Sequence, residues 1–260
     1  MSAKTTDVCL RCGKALTGRQ TQFCSRTCKV AHHGTYPNEK KRRFTRKQNF
    51  VEMSGKQCQH CGYDRNQSAL VFHHREQKEF LISSTMLGRL PISESLKELE
   101  KCDLLCHNCH FEHHYPWMAF ERIHDYLSQP APTLPRATKD SSSGYCITCG
   151  KDLEEGYMRF CSMRCRNGYY QSYEMQQRRG VERKLEFVNK LGGKCKHCGY
   201  RKNLAGLAFH HTRGKSYRLD LRSIANRSMK SLLAELEKCE LLCHNCHAEL
   251  HNPQLNKNAV

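Results

Sequence analysis

The stretch Lys101 to His114 reads KCDLLCHNCHFEHH, and Lys238 to His251 reads KCELLCHNCHAELH. Each phrase carries a C-x2-C pair, Cys106 and Cys109 or Cys243 and Cys246. Thiols at this spacing offer two soft ligands from one tight turn, as a structural zinc requires. Each phrase then continues with two histidines at i and i+4, His110 and His114 or His247 and His251. On a helix such a pair shares one face. With the cysteines satisfied among themselves, these imidazoles are left to hold a different ion. A double histidine precedes each phrase, His73-His74 and His210-His211. It closes an apolar run, ALVFHH or GLAFHH, that reads as a short strand. Neighbouring strand residues point to opposite faces, but a local twist at the strand end could let both histidines reach one site, one to bind an ion and the other to work on water.

Two zinc enzymes are excluded on spacing. The metalloprotease motif sets Glu directly after the first helical His. Here HFEHH and HAELH set Glu112 and Glu249 two places after it, on the far side of the helix. The nucleobase deaminases need H-x-E and P-C-x-x-C, which the sequence lacks.

The elements that must position these residues come in duplicate. Cys9, Cys12, Cys24 and Cys28 recur as Cys146, Cys149, Cys161 and Cys165, and Cys58 and Cys61 recur as Cys195 and Cys198. Every offset is 137 residues, so the chain is a tandem duplication of a domain-sized unit. The first four cysteines of each copy form a module of their own, C-x2-C followed by C-x3-C. Cys58, Cys61, Cys106 and Cys109, with their copies Cys195, Cys198, Cys243 and Cys246, complete a second quartet per copy. A glycine follows the second Cys of each C-x2-C-G turn (Gly13, Gly62, Gly150, Gly199), where a left-handed backbone is expected. Cys102 and Cys239 remain, and are expected to pack as small apolar groups under the metal turn.

Between the two modules of each copy runs a basic connector. In the second copy Leu185, Val188 and Leu191 share a helical face that Gly192 or Gly193 can end. Lys41, Arg42, Arg46 and Lys47 match Arg178, Arg179, Arg183 and Lys184, a set that could follow a phosphate backbone or simply face solvent. SESLKELEKC and SLLAELEKC then predict a helix, LLC a return strand, and CHNCH the entry to a final helix starting near Cys109 or Cys246. The fold class expected is therefore small α+β zinc-stabilised domains. The boundaries expected are a zinc-ribbon-like four-cysteine module at 1–36, a second module at 37–127, a Pro/Ser-rich linker at 128–144, and the copies at 145–173 and 174–260.

Composition agrees with small metal-held domains. Of the 260 residues only 38% are hydrophobic and one is Trp, too little for a single large core. Eighteen cysteines without an apolar leader segment in MSAKTTDVCLRC point to metal rather than disulfides, and to an intracellular setting, cytoplasm or nucleus. The formal charge is +18; four zinc–tetrathiolate sites at −2 each would lower it to +10. That is still a balance suited to a polyanion.

The order C-x2-C, F-H-H, L-L-C-x2-C-H-x3-H resembles the HNH endonucleases with a ββα-metal core, over residues 55–115 and 192–252. The resemblance implies two ββα-metal modules that hydrolyse phosphodiester bonds of double-stranded DNA. By it, His73, His110 and His114 would bind one divalent cation (Mg²⁺, Mn²⁺, Ni²⁺ or Zn²⁺), with His74 as general base. In the second copy His210, His247 and His251 would bind it, with His211 as base. Up to four further Zn²⁺ would be structural. The two sites would form a pseudo-dimer on one chain. The family's middle Asn, which orients the base, is replaced by Lys101 and Lys238. Asn108 and Asn245 could supply that carboxamide or serve only as turn residues. His32, His33, His60, His107, His124, His197 and His244 are expected on the surface or in turns. The alternative readings are a non-catalytic zinc-finger binder of DNA or RNA, a zinc-based protein-interaction module, and a closed histidine zinc site without catalysis.

Overall fold

The computed structural model describes residues 7–18, 20–34, 36–129, 144–154, 159–170 and 172–257. Most of the expected linker, 130–143, lies outside them. The described elements are α1 (Arg26–His33), α2 (Tyr36–Met53), β1 (Leu70–His74), α3 (Ser84–Arg89), α4 (Ile92–Leu99), β2 (Cys102–Cys106), α5 (His107–His114) and α6 (Ile123–Ser128). The second copy supplies α7 (Met163–Tyr170), α8 (Tyr173–Lys190), β3 (Leu207–His211), α9 (Leu221–Asn226), α10 (Met229–Leu236), β4 (Cys239–Cys243) and α11 (His244–His251). This is a small α+β architecture with two antiparallel two-stranded sheets, β1–β2 and β3–β4. Among the described residues no helix is long and apolar enough to cross a membrane.

The chain packs as two units whose limits do not follow the repeat. One holds Met1–Cys106 with Leu255–Val260, the other His107–Gln254. The second unit therefore contains the end of the first copy. Met118 and Ile123 are buried in its core beside Val181, Phe187, Leu207, Ile224 and Leu232 of the second copy. Ala119 bridges Asn203, and the Phe120 amide donates to the Lys202 carbonyl at 3.2 Å. In the first unit the pairing is the converse. Asn256 bridges Asn66, and the Lys257 amide donates to the Arg65 carbonyl at 2.8 Å.

The C-x2-C-G turns behave as the sequence predicts. Gly13, Gly62, Gly150 and Gly199 have φ of 73°, 72°, 70° and 73°, a region costly for any residue with a Cβ. The strands also appear where expected, with Leu207 opposite Cys243, His210 opposite Glu240 and His211 opposite Cys239. Two local features differ. The final helices begin at His107 and His244, earlier than the C-x2-C spacing suggests. In α11 the Cys243 sulfur itself caps the helix, accepting from the Cys246 amide at 3.4 Å, so a candidate metal ligand doubles as N-cap. The six-residue α3 and α9 were not predicted, being too short to show a period. Ser83 and Asp220 cap them.

The connectors are helices, α2 and α8, and Arg46, Arg178, Arg183 and Lys184 of the expected phosphate-following set are engaged within the fold. Arg183 donates to the carbonyls of Ile224, Ala225 and Arg227 at 2.8, 3.3 and 3.0 Å, closing the C-terminus of α9. Arg46 does the same for α3 through Leu87 and Leu90. Arg178 closes α6 through Leu127 and Gln129. The last carbonyls of a helix have no partner within it, so a guanidinium fork there satisfies them and opposes the negative end of the dipole. Lys184 is 8% exposed, on the same face as Val181 and Val188, and burial pulls its amine down to about 8. Burial also lowers Lys47. Lys41 and Arg42 remain exposed.

Candidate metal centres and the histidine site

Four groups of four thiols bring their sulfurs within 4.8 Å of one another: Cys9, Cys12, Cys24 and Cys28; Cys58, Cys61, Cys106 and Cys109; and their two copies. Four sulfurs about 2.3 Å from one zinc stand roughly 3.8 Å apart in a tetrahedron. The separations Cys12–Cys24, Cys24–Cys28, Cys149–Cys161, Cys161–Cys165 and Cys198–Cys243 are 3.5, 3.6, 3.5, 3.6 and 3.6 Å. These suit a shared ion and far exceed the ~2.05 Å of a disulfide. All eighteen cysteines are free thiols. Cys102 and Cys239 belong to none of these quartets. Each thiol donates to a helix-end carbonyl, Glu98 or Glu235, at 3.3 Å. Burial first, then the neighbouring glutamate, pushes both thiols up to about 11, so they stay protonated.

The histidines of the second copy lie in one unit. His210 is the penultimate residue of β3, and His247 and His251 line one face of α11. Their ring centroids are 5.2 Å (His210–His247), 5.2 Å (His210–His251) and 4.6 Å (His247–His251) apart. An imidazole bound at about 2.1 Å has its centroid roughly 3.2 Å from the ion, so three tetrahedral ligands would stand about 5.2 Å apart. The donor set fits one divalent ion. Burial is the largest influence holding His210 down and His247 at about 4, which keeps both lone pairs available near neutral pH. In the first copy, His73 and His74 end β1. His110 and His114 sit on α5 with ring centroids 4.5 Å apart.

Strand alternation turns His211 away from this trio, and its partner is one the sequence did not single out. His211 Nε2 lies 2.9 Å from Glu235 Oε1. Glu235 is 2% exposed on the inner face of α10. The same oxygen accepts from the Ser216 and Tyr217 amides at 2.8 and 3.4 Å, and Oε2 accepts from Lys238 Nζ at 2.8 Å. The Lys238 bond is the largest cause of holding the Glu235 carboxyl down at about 2. The first copy brings the same groups together: His74 Nε2 lies 3.0 Å from Glu98 Oε1 without a hydrogen bond of good geometry, and Glu98 accepts from the Glu79 amide and Lys101 Nζ, both at 2.9 Å. The lysines that stand where a base-orienting Asn was expected hold glutamates that contact the histidines. The signal was present in KELEK and AELEK: one acidic residue on the apolar face, three before the lysine.

Asn108 and Asn245 are buried, and each caps the other copy's helix. The Asn108 amide donates to Asn245 Oδ1 at 3.1 Å, and the Asn245 amide to Asn108 Oδ1 at 3.3 Å. Both lie in the first turn of a helix rather than in a turn, as α5 (His107–His114) and α11 (His244–His251) include them. His244 is also not a surface residue. It stacks on Phe111 at 4.2 Å and 21°, and burial pulls it down to about 3. His32 and His33 pack against Phe23 at 5.1 and 5.5 Å. No family model, curated protein or solved structure matches this chain.

Proposed function

We propose that this protein is a metal-dependent endonuclease of the HNH type, hydrolysing phosphodiester bonds in double-stranded DNA with one site per copy. The observation that carries the reading is the division of labour at the end of β3. His210 joins His247 and His251 as a three-nitrogen donor set, and His211 is held separately by Glu235. A closed structural site would have no use for the second, differently oriented histidine.

The chain's own groups would act as follows. Glu235 is ionised and takes the Nε2–H of His211, which leaves the Nδ1 lone pair to accept a proton from water. The fixed carboxylate stabilises the imidazolium that forms, much as an acidic partner orients a catalytic histidine elsewhere. Lys238 keeps that carboxylate charged and in place. A divalent ion bound by the three neutral imidazoles would stabilise negative charge on the phosphate and on the departing 3′ oxygen. Exposed Lys41 and Arg42, and the residual positive charge, suit contacts to the phosphate backbone that position without specifying sequence.

Cleavage of supercoiled plasmid by zinc-loaded protein tests the reading, with Mg²⁺, Mn²⁺ or Ni²⁺ added and a His74→Ala, His211→Ala double variant alongside. Metal-dependent nicked or linear product that vanishes in the variant is expected. Plasmid that is retarded but intact under every metal, with the same result on a fully randomised duplex pool, would sink the nuclease and leave a zinc-dependent DNA binder.

A further inference from the structure

In the first unit, α1, α2 and α4 line two adjoining cavities of about 600 and 910 Å³ that share His33 and Arg42. Together they make one groove, built wholly within that unit and from none of the histidine-site residues. Its rim is cationic: Arg26 and Lys29 of α1 and Lys41 and Arg42 of α2 line it and are exposed. Glu39 is the one carboxylate lining it among the described residues, and Arg43 holds that group at 2.8 Å. Its floor, where α2 meets α4, is apolar. Phe50 lies at the back, 3% exposed, with Leu96 beside it, while Met53 and Ile92 stand in front, 64% and 53% exposed. The second copy does not keep this lining. Shifted by 137 residues, Thr45, Asn49 and Met53 become Glu182, Glu186 and Lys190, and Arg26 becomes Met163. Glu182 pairs with Arg178 at 3.0 Å and Glu186 with Lys190 at 3.2 Å. Arg178, the counterpart of Lys41, also closes α6. A groove that merely followed from the packing common to both copies would keep one lining chemistry in both; here only the first copy pairs a cationic rim with an acid-free apolar floor.

We propose that this groove binds single-stranded DNA, its phosphates along Arg26, Lys29, Lys41 and Arg42 and an unstacked base against Met53, Ile92 and Leu96. That the strand is DNA rests on the nuclease reading above; that it is single rests on the groove alone. Lysines and arginines in a row suit the evenly spaced charges of a phosphodiester backbone. They do not by themselves distinguish one strand from two, and the floor does. In a duplex the base faces are stacked on one another, so the outer surface offers phosphates, sugars and base edges. A recessed apolar floor between cations is covered only by a base that has left the stack. The size agrees. Pockets of about 300–1,000 Å³ take ligands of small-molecule size, which a nucleotide is and a duplex is not.

Fluorescence anisotropy on the full zinc-loaded chain tests this. No divalent ion is added, so the result does not depend on cleavage and stands or falls apart from the nuclease. The probes are a labelled mixed-sequence DNA strand, its duplex, and the RNA strand of the same sequence. The informative variant is Met53→Ser, Ile92→Ser, which removes the exposed apolar groups and leaves the net charge unaltered; its zinc content and melting temperature are checked against the parent. Affinity for the single DNA strand should fall about tenfold or more, the scale of one lost base contact, while the duplex stays within about twofold. An equal loss on both probes, or none on the single strand, overturns the proposal. A second variant, Lys29→Gln, Lys41→Gln, reads the rim. The slope of log affinity against log salt for the single strand should drop by about 1.4, roughly 0.7 for each phosphate contact removed. An unchanged slope overturns the backbone path. RNA bound more tightly than the DNA strand, with the same loss in the serine variant, overturns DNA as the occupant.

Discussion

Changing Glu235 to Gln tests the buried network directly, because it removes charge while nearly preserving shape. Glu235 is 2% exposed and makes four contacts: His211, the Ser216 and Tyr217 amides, and Lys238. A Gln oxygen in the Oε1 position would still accept from the two amides and from His211. The NH₂ group would then face Lys238 Nζ at 2.8 Å, donor against donor. One charge-assisted bond is lost, worth about 1.5–3 kcal/mol, and Lys238, 30% exposed at its side chain, can turn toward water. A net loss of about 2 kcal/mol is expected, which for a unit of this size lowers the melting temperature by roughly 4–8 °C. The loss has a pH signature. The folded carboxyl sits at about 2 against an ordinary 4.5, with Lys238 the largest cause, so its stabilisation is complete above the ordinary value and disappears as pH falls toward about 2. The gap in melting temperature between the parent and Glu235→Gln should therefore be widest above pH 5 and close on acidification, each protein serving as the other's control for zinc loss. Nicking by a His74→Ala background, which isolates the second site, should fall by about 10²-fold or more in Glu235→Gln, the scale of a general base left without its orienting group. A variant that melts with the parent at every pH, or that is less stable yet nicks at the parental rate, would refute the role assigned to Glu235.

Other consequences follow from single distances. A Cβ at Gly180 would stand 2.7 Å from the Leu221 carbonyl, where α8 meets α9, so Gly180→Ala should destabilise by about 1–3 kcal/mol in thermal melting. Elemental analysis should find four structural zinc ions per chain, and Cys195→Ser should lower the count by one while the three remaining quartets stay filled. Lys184→Met should leave duplex affinity and its salt slope unchanged and hold or raise stability, since the amine is buried beside Val181 and Val188 rather than offered to phosphate. Gly199→Ala, at φ 73°, should cost about 1–2 kcal/mol and loosen zinc retention against a chelator, because the second C-x2-C turn needs the left-handed backbone.

Much of the site was legible in the chain because metal ligation is local in sequence. A C-x2-C turn needs only two residues between its thiols and a glycine after them, and an i, i+4 histidine pair needs only a helix. The strand ending in a double histidine and the helix after it follow from periods of two and about 3.6 residues. A duplication with one constant offset is likewise a property of the string. What the string does not contain is which distant group answers a polar side chain. Arg46, Arg178 and Arg183 read as surface charge, yet helix ends 41 to 51 residues away in the chain need their donors. Glu98 and Glu235 read as polar residues of an amphipathic helix. Only the folded chain brings Glu98 within 3.0 Å of His74 and Glu235 within 2.9 Å of His211, and sets Lys101 and Lys238 on the same carboxylates. The reciprocal bond between Asn108 and Asn245 has the same origin. Duplication wrote the same asparagine twice, but only the folded second unit brought the first turns of α5 and α11 together, where each buried amide is answered by its own counterpart.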